Sequence, residues 1–337
     1  MAYGEVFGMK NISRREFLKL SAGAAVGTAV MLSPLSVFAS EERATKMKFI
    51  ENLQVPYCTG RSVPQIAVPF NACDCAHHIF DPVRFPYKPD DVRNQPPAGV
   101  DVYRLLQKKL GLTRSVVVQA SAYGTDNRCL VDALKQLGDN SRGVAVVQYD
   151  ISDNELADLH AAGVRGLRYN VSRGAKLESD KLLHMADRIK SLGWHMAFWV
   201  PADIVVNFAD LFQKLPVPVV FDHRGHLPAA QGIRHPAFAM IANLMKSGKG
   251  WVKLSALYHD SNGIDDYADT VAVGKAYVET EPSRVVWGTD WPHPSEFTAK
   301  KDFPDDAHLL DLLAVQAADE KIRHRILVEN PAELYKF

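Results

Sequence analysis

No sign of charge predominates in this 337-residue chain, where 39 Lys plus Arg are matched by 39 Asp plus Glu. That balance gives no global field to draw in nucleic acid or an anionic membrane. Cysteine is scarce: the four residues at 58, 73, 75 and 129 show no metal-binding spacing. On a regular strand Cys73 and Cys75 share one face, where a mutual disulfide would be badly strained, so they read as small apolar core residues. A Cys58–Cys129 bridge is permitted in an oxidising compartment, but nothing specifies it. Internal repeats, low-complexity tracts and a second domain are also missing. What the chain does have is histidine, twelve residues with none before His77.

The N-terminus carries no run apolar enough for a good membrane span. "SRREFLK" (13–19) instead has the twin-arginine export pattern, with Arg14 and Arg15 as the pair. A weakly apolar, Gly/Ala/Ser-rich stretch follows and ends in small residues near Ala39, as a cleavable signal does. Residues 1–39 are therefore expected to be removed, leaving 35 basic and 37 acidic side chains on a soluble periplasmic protein. Residues 40–64 read as a polar, Pro-containing arm.

From residue 65 onward, short β-rich runs alternate with helical ones. "AVPFNACDC", "SVVVQAS" (115–121), "GVAVVQYD" (143–150), "VRGLRYNV" (164–171), "WHMAFWV" (194–200), "PVVFDH" (218–223), "GWVKLSA" (250–256) and "RVVWGTD" (284–290) make eight strands. Between them lie "CLVDALKQLG", ended by its glycine, and the capped "DNELADLHAAG". Eight strands separated by helices predict a parallel α/β barrel, (β/α)8, over 65–337, closed by two C-terminal helices.

In such a barrel the reacting groups stand at the C-terminal ends of the strands. Asp74, His78, Arg168, Asp222, His223, Tyr258 and Asp290 all fall there. The densest stretch is "NACDCAHHIFDP" (71–82). Strict alternation on a strand puts His77 and His78 on opposite faces and places Ala76, which cannot ligate, beside His78.

The segments "CDCAHHIFDP", "YGTDN", "GVRGLRYN", "DHRGH", "WVKLSA", "VVWGTDWPHP" and "ILVENPAELYKF" occur in that order. Together they resemble the amidohydrolase-2 family, in its branch of lactone hydrolases of the pyrone-dicarboxylate and sulfomuconolactone types. The resemblance implies a barrel with Asp290 at the end of strand eight and His223 after strand six. It also implies a D-x-H-x-H motif on strand one, which aligns here as Asp74, Cys75, Ala76, His77, His78, so the first histidine is replaced by Ala76. Metal-dependent relatives hold zinc with both histidines, the later histidine and the aspartate. Relatives also commonly carry an arginine in the loop after "VKLS", where this chain has Tyr258 and His259.

The resemblance implies an enzyme that opens a small anionic lactone, with Asp290 as general base and then acid. His78 and His223 would polarise the carbonyl. Arg168 and Arg173 would grip acidic groups, with Tyr123, Asn127 and Tyr258 on the pocket rim. Asp74 would orient a neighbour rather than react. No metal is favoured. If zinc is used, His78, His223 and Asp290 would hold it. The alternatives are a zinc-dependent hydrolase or decarboxylase, a lactone isomerase using the same acid–base pair, and a binding protein with a degenerate site.

Overall fold

The computed structural model of the chain describes residues 53–337, apart from 174 and 175 and the side chain of Arg173. The expected export segment, 1–39, and the first part of the arm lie outside the described residues. No helix among the described residues is long and apolar enough to cross a membrane. Eight strands follow one another: β1 (Cys73–His77), β2 (Arg114–Val118), β3 (Ser141–Ala145), β4 (Val164–Asn170), β5 (His195–Trp199), β6 (Val219–Phe221), β7 (Gly250–Leu254) and β8 (Val285–Trp287). Each pairs in parallel with the next in sequence order. Beyond β8 the chain returns to β1, with Asp290 N–H donating to Ala76 O at 2.7 Å and His78 N–H to Trp291 O at 2.8 Å. The result is the expected (β/α)8 barrel, nearly closed.

Helices α1 (Val100–Leu110), α2 (Arg128–Leu137), α3 (Asp153–Ala161) and α4 (Ser179–Lys190) follow the first four strands in turn. Gly111 stops α1 at φ 74° and Gly138 stops α2 at φ 78°, both in the left-handed region that costs glycine little. A capping box between Ser152 and Glu155 starts α3. Inside the barrel, Cys73, Cys75, Val116, Val118, Val144, Ala197, Val220, Trp251 and Val286 form an apolar plug, and all four cysteines are free. Leu334 and Tyr335 join that plug, and the Tyr335 ring meets His195, the first residue of β5, edge-on at 5.2 Å. The C-terminal segment therefore seals the end of the barrel where the strands begin.

Above the plug is a polar layer. Arg168 registers with Ala197 and lies in the interior with it, its Nε donating to Asp222 Oδ2 at 2.8 Å. Lys253 Nζ stands 3.1 Å from the other oxygen of Asp222. Three ionisable side chains buried together beneath the mouth are tolerable because they pair with one another.

The C-terminal tail forms the two expected helical stretches, 306–316, interrupted only at Leu312, and 320–335, in which a π turn over Arg325–Glu329 joins Glu320–His324 to Asn330–Tyr335. Asp319 caps the second by accepting from Lys321 N–H. One expectation about elements changes, since several strands are shorter than their apolar runs. β3 stops at Ala145 because the Asn127 side chain takes both backbone groups of Val146, at 3.2 and 2.8 Å.

Strand β1 departs from strict alternation. Its register shifts between Asp74 and His77, the signature of a bulge. Asp74 and His77 consequently both meet Tyr103 of α1, through a 3.0 Å hydrogen bond and a ring stack at 3.6 Å. Cys75 turns into the plug and His78 into the cavity described below. Ala76 sits at the bulge, and a Cβ on Gly288 would lie 2.6 Å from its nitrogen, so only glycine fits there on β8.

Candidate active site

Asp290 follows β8 in the left-handed region, at φ 64°, and is almost wholly buried. His223, Arg224 and His226 after β6, Ala256 after β7 and His293 beyond Asp290 share that conformation. Non-glycine residues held there cost of order 1–3 kcal/mol each and cluster where function demands a fixed geometry. Here they gather at the C-terminal mouth.

Asp290 is the hub. Its Oδ1 lies 3.5 Å from His78 Nε2 and 3.7 Å from His223 Nε2, and its Oδ2 lies 3.7 Å from His259 Nε2. Tyr258 Oη is 2.9 Å from Oδ2 and equally 2.9 Å from His293 Nδ1, and His293 Nε2 reaches Asp306 Oδ2 at 3.3 Å. Burial pushes the Asp290 carboxyl up, but its electrostatic coupling to the His223, His259 and His78 rings and the His78 hydrogen bond outweigh it. The group is held well below the usual carboxylate range. Burial drives His223 well below its ordinary value and takes His259 down to about 4, so both rings are neutral near pH 7.

The outer partners fix tautomers. Val118 O can only accept, so the 2.8 Å contact puts a proton on His78 Nδ1 and turns Nε2 toward Asp290. His223 Nδ1 meets Ser255 Oγ at 2.8 Å. If the hydroxyl donates, His223 carries its proton on Nε2, facing the cavity. Asp74 stands behind the site, accepting from Thr289 N–H and Oγ1–H, Ala76 N–H and Tyr103 Oη–H at 2.7 to 3.1 Å. Burial raises its carboxyl to about 6 despite those donors. It ties the β8 turn to β1, the orienting task read from the sequence.

A cavity of about 90 Å³ opens over Asp290, His78, His223 and His259, with Arg168 and Arg93 among its walls. A wider one of about 900 Å³ adjoins it, sharing Ser121, Arg168 and Asn170 and floored by the stacked rings of Tyr149 and Tyr169. Arg168 stands between the two. Its Nε is spent on Asp222, while its terminal nitrogens have no hydrogen-bond partner among the described residues.

The structure thus gathers Asp290, His223, His78, Arg168 and Tyr258. Tyr258 belongs to the centre rather than the rim, because its hydroxyl is bound to Asp290. Two expected rim residues are elsewhere. Tyr123 Oη accepts from Asp81 N–H at 2.7 Å within an aromatic cluster, and Asn127 spends its amide on Val146 and Thr125. Both serve the loops, not the cavity. The side chain of Arg173 lies outside the described residues. Arg93, His259, His226 and Ser295 were missed as site residues. The replacement of the relatives' arginine by His259 was the available signal, whereas Arg93 comes from a loop with no strand end to mark it.

The residues present do not fit the four-donor metal site of metal-dependent relatives. Ala76 offers a methyl group where that site has its first histidine, and no neighbouring side chain reaches that place, since His77 is turned away onto Tyr103. A different group of donors is present, His223, His226 and His259, with one ligand atom of each within 4.8 Å of the others.

A single-chain parallel barrel with an aspartate after β8 and histidines after β1 and β6 defines a class of hydrolytic barrels. The chain belongs to the amidohydrolase family, whose model matches residues 73–337. It is 38% identical over 291 residues to a 2-pyrone-4,6-dicarboxylate hydrolase of Comamonas testosteroni, covering 81% of this chain and 93% of that one. It is 32% identical to a 4-sulfomuconolactone hydrolase of Rhizobium radiobacter, covering 83% and 96%. An apo crystal structure from Agrobacterium tumefaciens superposes with a TM-score of 0.74 at 31% identity, covering 82% and 99%.

Proposed function

We propose that this enzyme is a lactone hydrolase that opens a small lactone bearing carboxylate or sulfonate groups. The observation that carries the reading is Asp290, an ionised carboxylate ringed by three imidazoles and a phenol, beneath a cavity walled by two arginines. The names of the two hydrolase relatives point to the same substrate class.

The reaction follows from these positions. A lactone carrying acidic groups lies over the Tyr149–Tyr169 floor and is gripped by the free terminal nitrogens of Arg168, with Arg93 at the smaller cavity. The smaller cavity is too tight for the whole ring and admits its carbonyl end. Water between Asp290 Oδ1 and His78 Nε2 attacks the carbonyl carbon as Asp290 takes its proton, and His78 shares that proton across the 3.5 Å gap. His223 Nε2–H donates to the carbonyl oxygen as it gains charge. When the ring C–O bond breaks, the proton returns from Asp290 to the leaving oxygen. No step is drawn through a metal, because the family's donor set lacks its member at Ala76.

Because Asp290 is held so far down, it is a weak base that remains ionised at any working pH. Its value lies in placement beside the attacking water, and the enol-like leaving group of an unsaturated lactone needs little proton assistance to depart. Export through the Arg14–Arg15 pattern would place this activity in the periplasm. The testing experiment is continuous titration of acid released from carboxylated, sulfonated and uncharged lactones. Ring opening confined to the charged lactones supports the reading, and no ring opening with any of them rejects it.

A further inference from the structure

We propose that the loops after β6 and β7 form a zinc site from His223, His226 and His259, distinct in its ligands from the histidine pair on β1 that metal-dependent members of the family use. The proposal concerns the metal alone and does not depend on which lactone is turned over.

The first observation is convergence. One nitrogen of each of the three rings lies within 4.8 Å of the other two, and the ring centroids of His223 stand 5.2 Å from His226 and 4.8 Å from His259. Zinc–nitrogen bonds of ~2.1 Å imply donor separations of ~3.4 Å, so the rings need close in only slightly. Three neutral nitrogen donors are the protein contribution of a zinc site that keeps a position for water.

The second is an orphan. His226 Nε2 is buried and has no hydrogen-bond partner among the described residues. Its Nδ1 meets Asp260 Oδ1 at 3.0 Å. A carboxylate can only accept, so Nδ1 carries the proton and Nε2 is the nitrogen left for a metal. A carboxylate behind a histidine whose far nitrogen is free is the usual outer support of a zinc ligand. Leaving such a buried atom unmatched is unfavourable, and a bound cation would reverse that.

The third is that the loop is built to bring these rings together. His223, Arg224, Gly225 and His226 all adopt left-handed backbone, at φ 49°, 61°, 73° and 49°. Three of the four are not glycine, so the turn is strained and must be held from outside. Arg224 holds it. Fully buried, its guanidinium donates to Ser255 O, to Ala256 O at 3.1 Å and to Asp260 Oδ2 at 3.2 Å. One arginine thereby locks the β6 turn to the β7 loop that carries His259 and to the carboxylate that orients His226. His259 is in turn steadied by Ser295 Oγ at 2.7 Å.

His223 Nε2 cannot hold zinc and donate its N–H to the lactone oxygen at once, so zinc at this site would replace the donor in the reaction proposed above. The test therefore reads metal and not turnover. The full-length protein is stripped with a chelator and dialysed, and zinc stoichiometry and affinity are measured by competition with a chromophoric chelator. Wild type, His226→Gln, His259→Gln and His78→Gln are compared, each checked for folding by circular dichroism. One zinc per chain is expected in wild type and in His78→Gln, with affinity reduced at least ~100-fold in His226→Gln and His259→Gln. If His226→Gln does not fold, His259→Gln decides, since that side chain is partly exposed and replaceable without opening the core. Failure of wild type to bind zinc at micromolar concentration overturns the proposal. So does loss of zinc in His78→Gln with retention in His259→Gln, which would return the metal to the β1 side of Asp290.

Discussion

The Tyr258 hydroxyl lies 2.9 Å from Asp290 Oδ2, tying the β7 loop to the carboxylate on which the proposed chemistry turns. The phenol has one proton and two claimants, because His293 Nδ1 is also 2.9 Å away. Burial and the Asp290 charge push the phenol well above its ordinary value, so it remains a donor throughout the working range. Removing the donor with Tyr258→Phe should lower kcat about 10- to 100-fold, the worth of a hydrogen bond to a charged group at ~1.5–3 kcal/mol. A variant with kcat within twofold of wild type would confine Tyr258 to packing.

Arg168 is held by Asp222, which Lys253 also neutralises. Its terminal nitrogens are free to meet a substrate anion. Arg168→Met should raise KM for carboxylated and sulfonated lactones by roughly 10- to 100-fold while leaving uncharged lactones almost unaffected. Equal losses on both substrate classes would assign the arginine to the buried charge layer instead.

Stability should fall with acid. His77, His195, His223 and His259 are all depressed in the folded chain, chiefly by burial, with His195 at about 3 and His259 at about 4. Each is neutral when folded and takes a proton on unfolding below about pH 6.5. Their contribution is complete above that value and is lost as pH falls toward the folded values. Asp74 works the other way, since its folded value near 6 means that it releases a proton on unfolding between about pH 4 and 6. The metal-stripped protein should therefore take up roughly three protons net on unfolding near pH 5. Calorimetric unfolding in buffers of different ionisation enthalpy measures that number, and a flat Tm between pH 6.5 and 5 would contradict it.

The barrel was legible because its signal is repeated eight times. Apolar β-branched runs such as "SVVVQ" and "RVVWG" alternate with helices marked by Gly111, Gly138 and the Ser152–Glu155 box. Asp290, His223 and His78 could be expected to meet because all three stand at strand ends on one mouth of the barrel. Other features depend on single geometric events that no period records. The bulge at Ala76 sets both Asp74 and His77 against Tyr103, which strict alternation forbids. Tyr123 and Asn127 resemble rim residues in sequence, yet each satisfies a backbone group that the shortened strands leave open. Arg93 reaches the cavity from a long loop, and His226 gains its meaning only from a left-handed turn. The C-terminal tail carries helical periodicity throughout, and Asp319 divides it into two helices as expected.

Export is testable apart from the chemistry. Changing Arg14→Lys together with Arg15→Lys should leave the protein in the cytoplasm with residues 1–39 attached, as fractionation and N-terminal mass analysis would record. Processing of the double variant in the periplasm would rule out the twin-arginine route.

The central claim is that Asp290 drives water into a small anionic lactone. The most direct measurement is turnover of a carboxylated and a sulfonated lactone in ¹⁸O-enriched water, with wild type and Asp290→Asn compared by mass spectrometry of the product. The account predicts one solvent oxygen in each ring-opened acid and a rate lower by ~10²–10⁴ in the variant, the usual worth of general acid–base help. Product formed without solvent oxygen would mean isomerisation rather than hydrolysis, and a variant retaining more than half the wild-type kcat would remove Asp290 from its role.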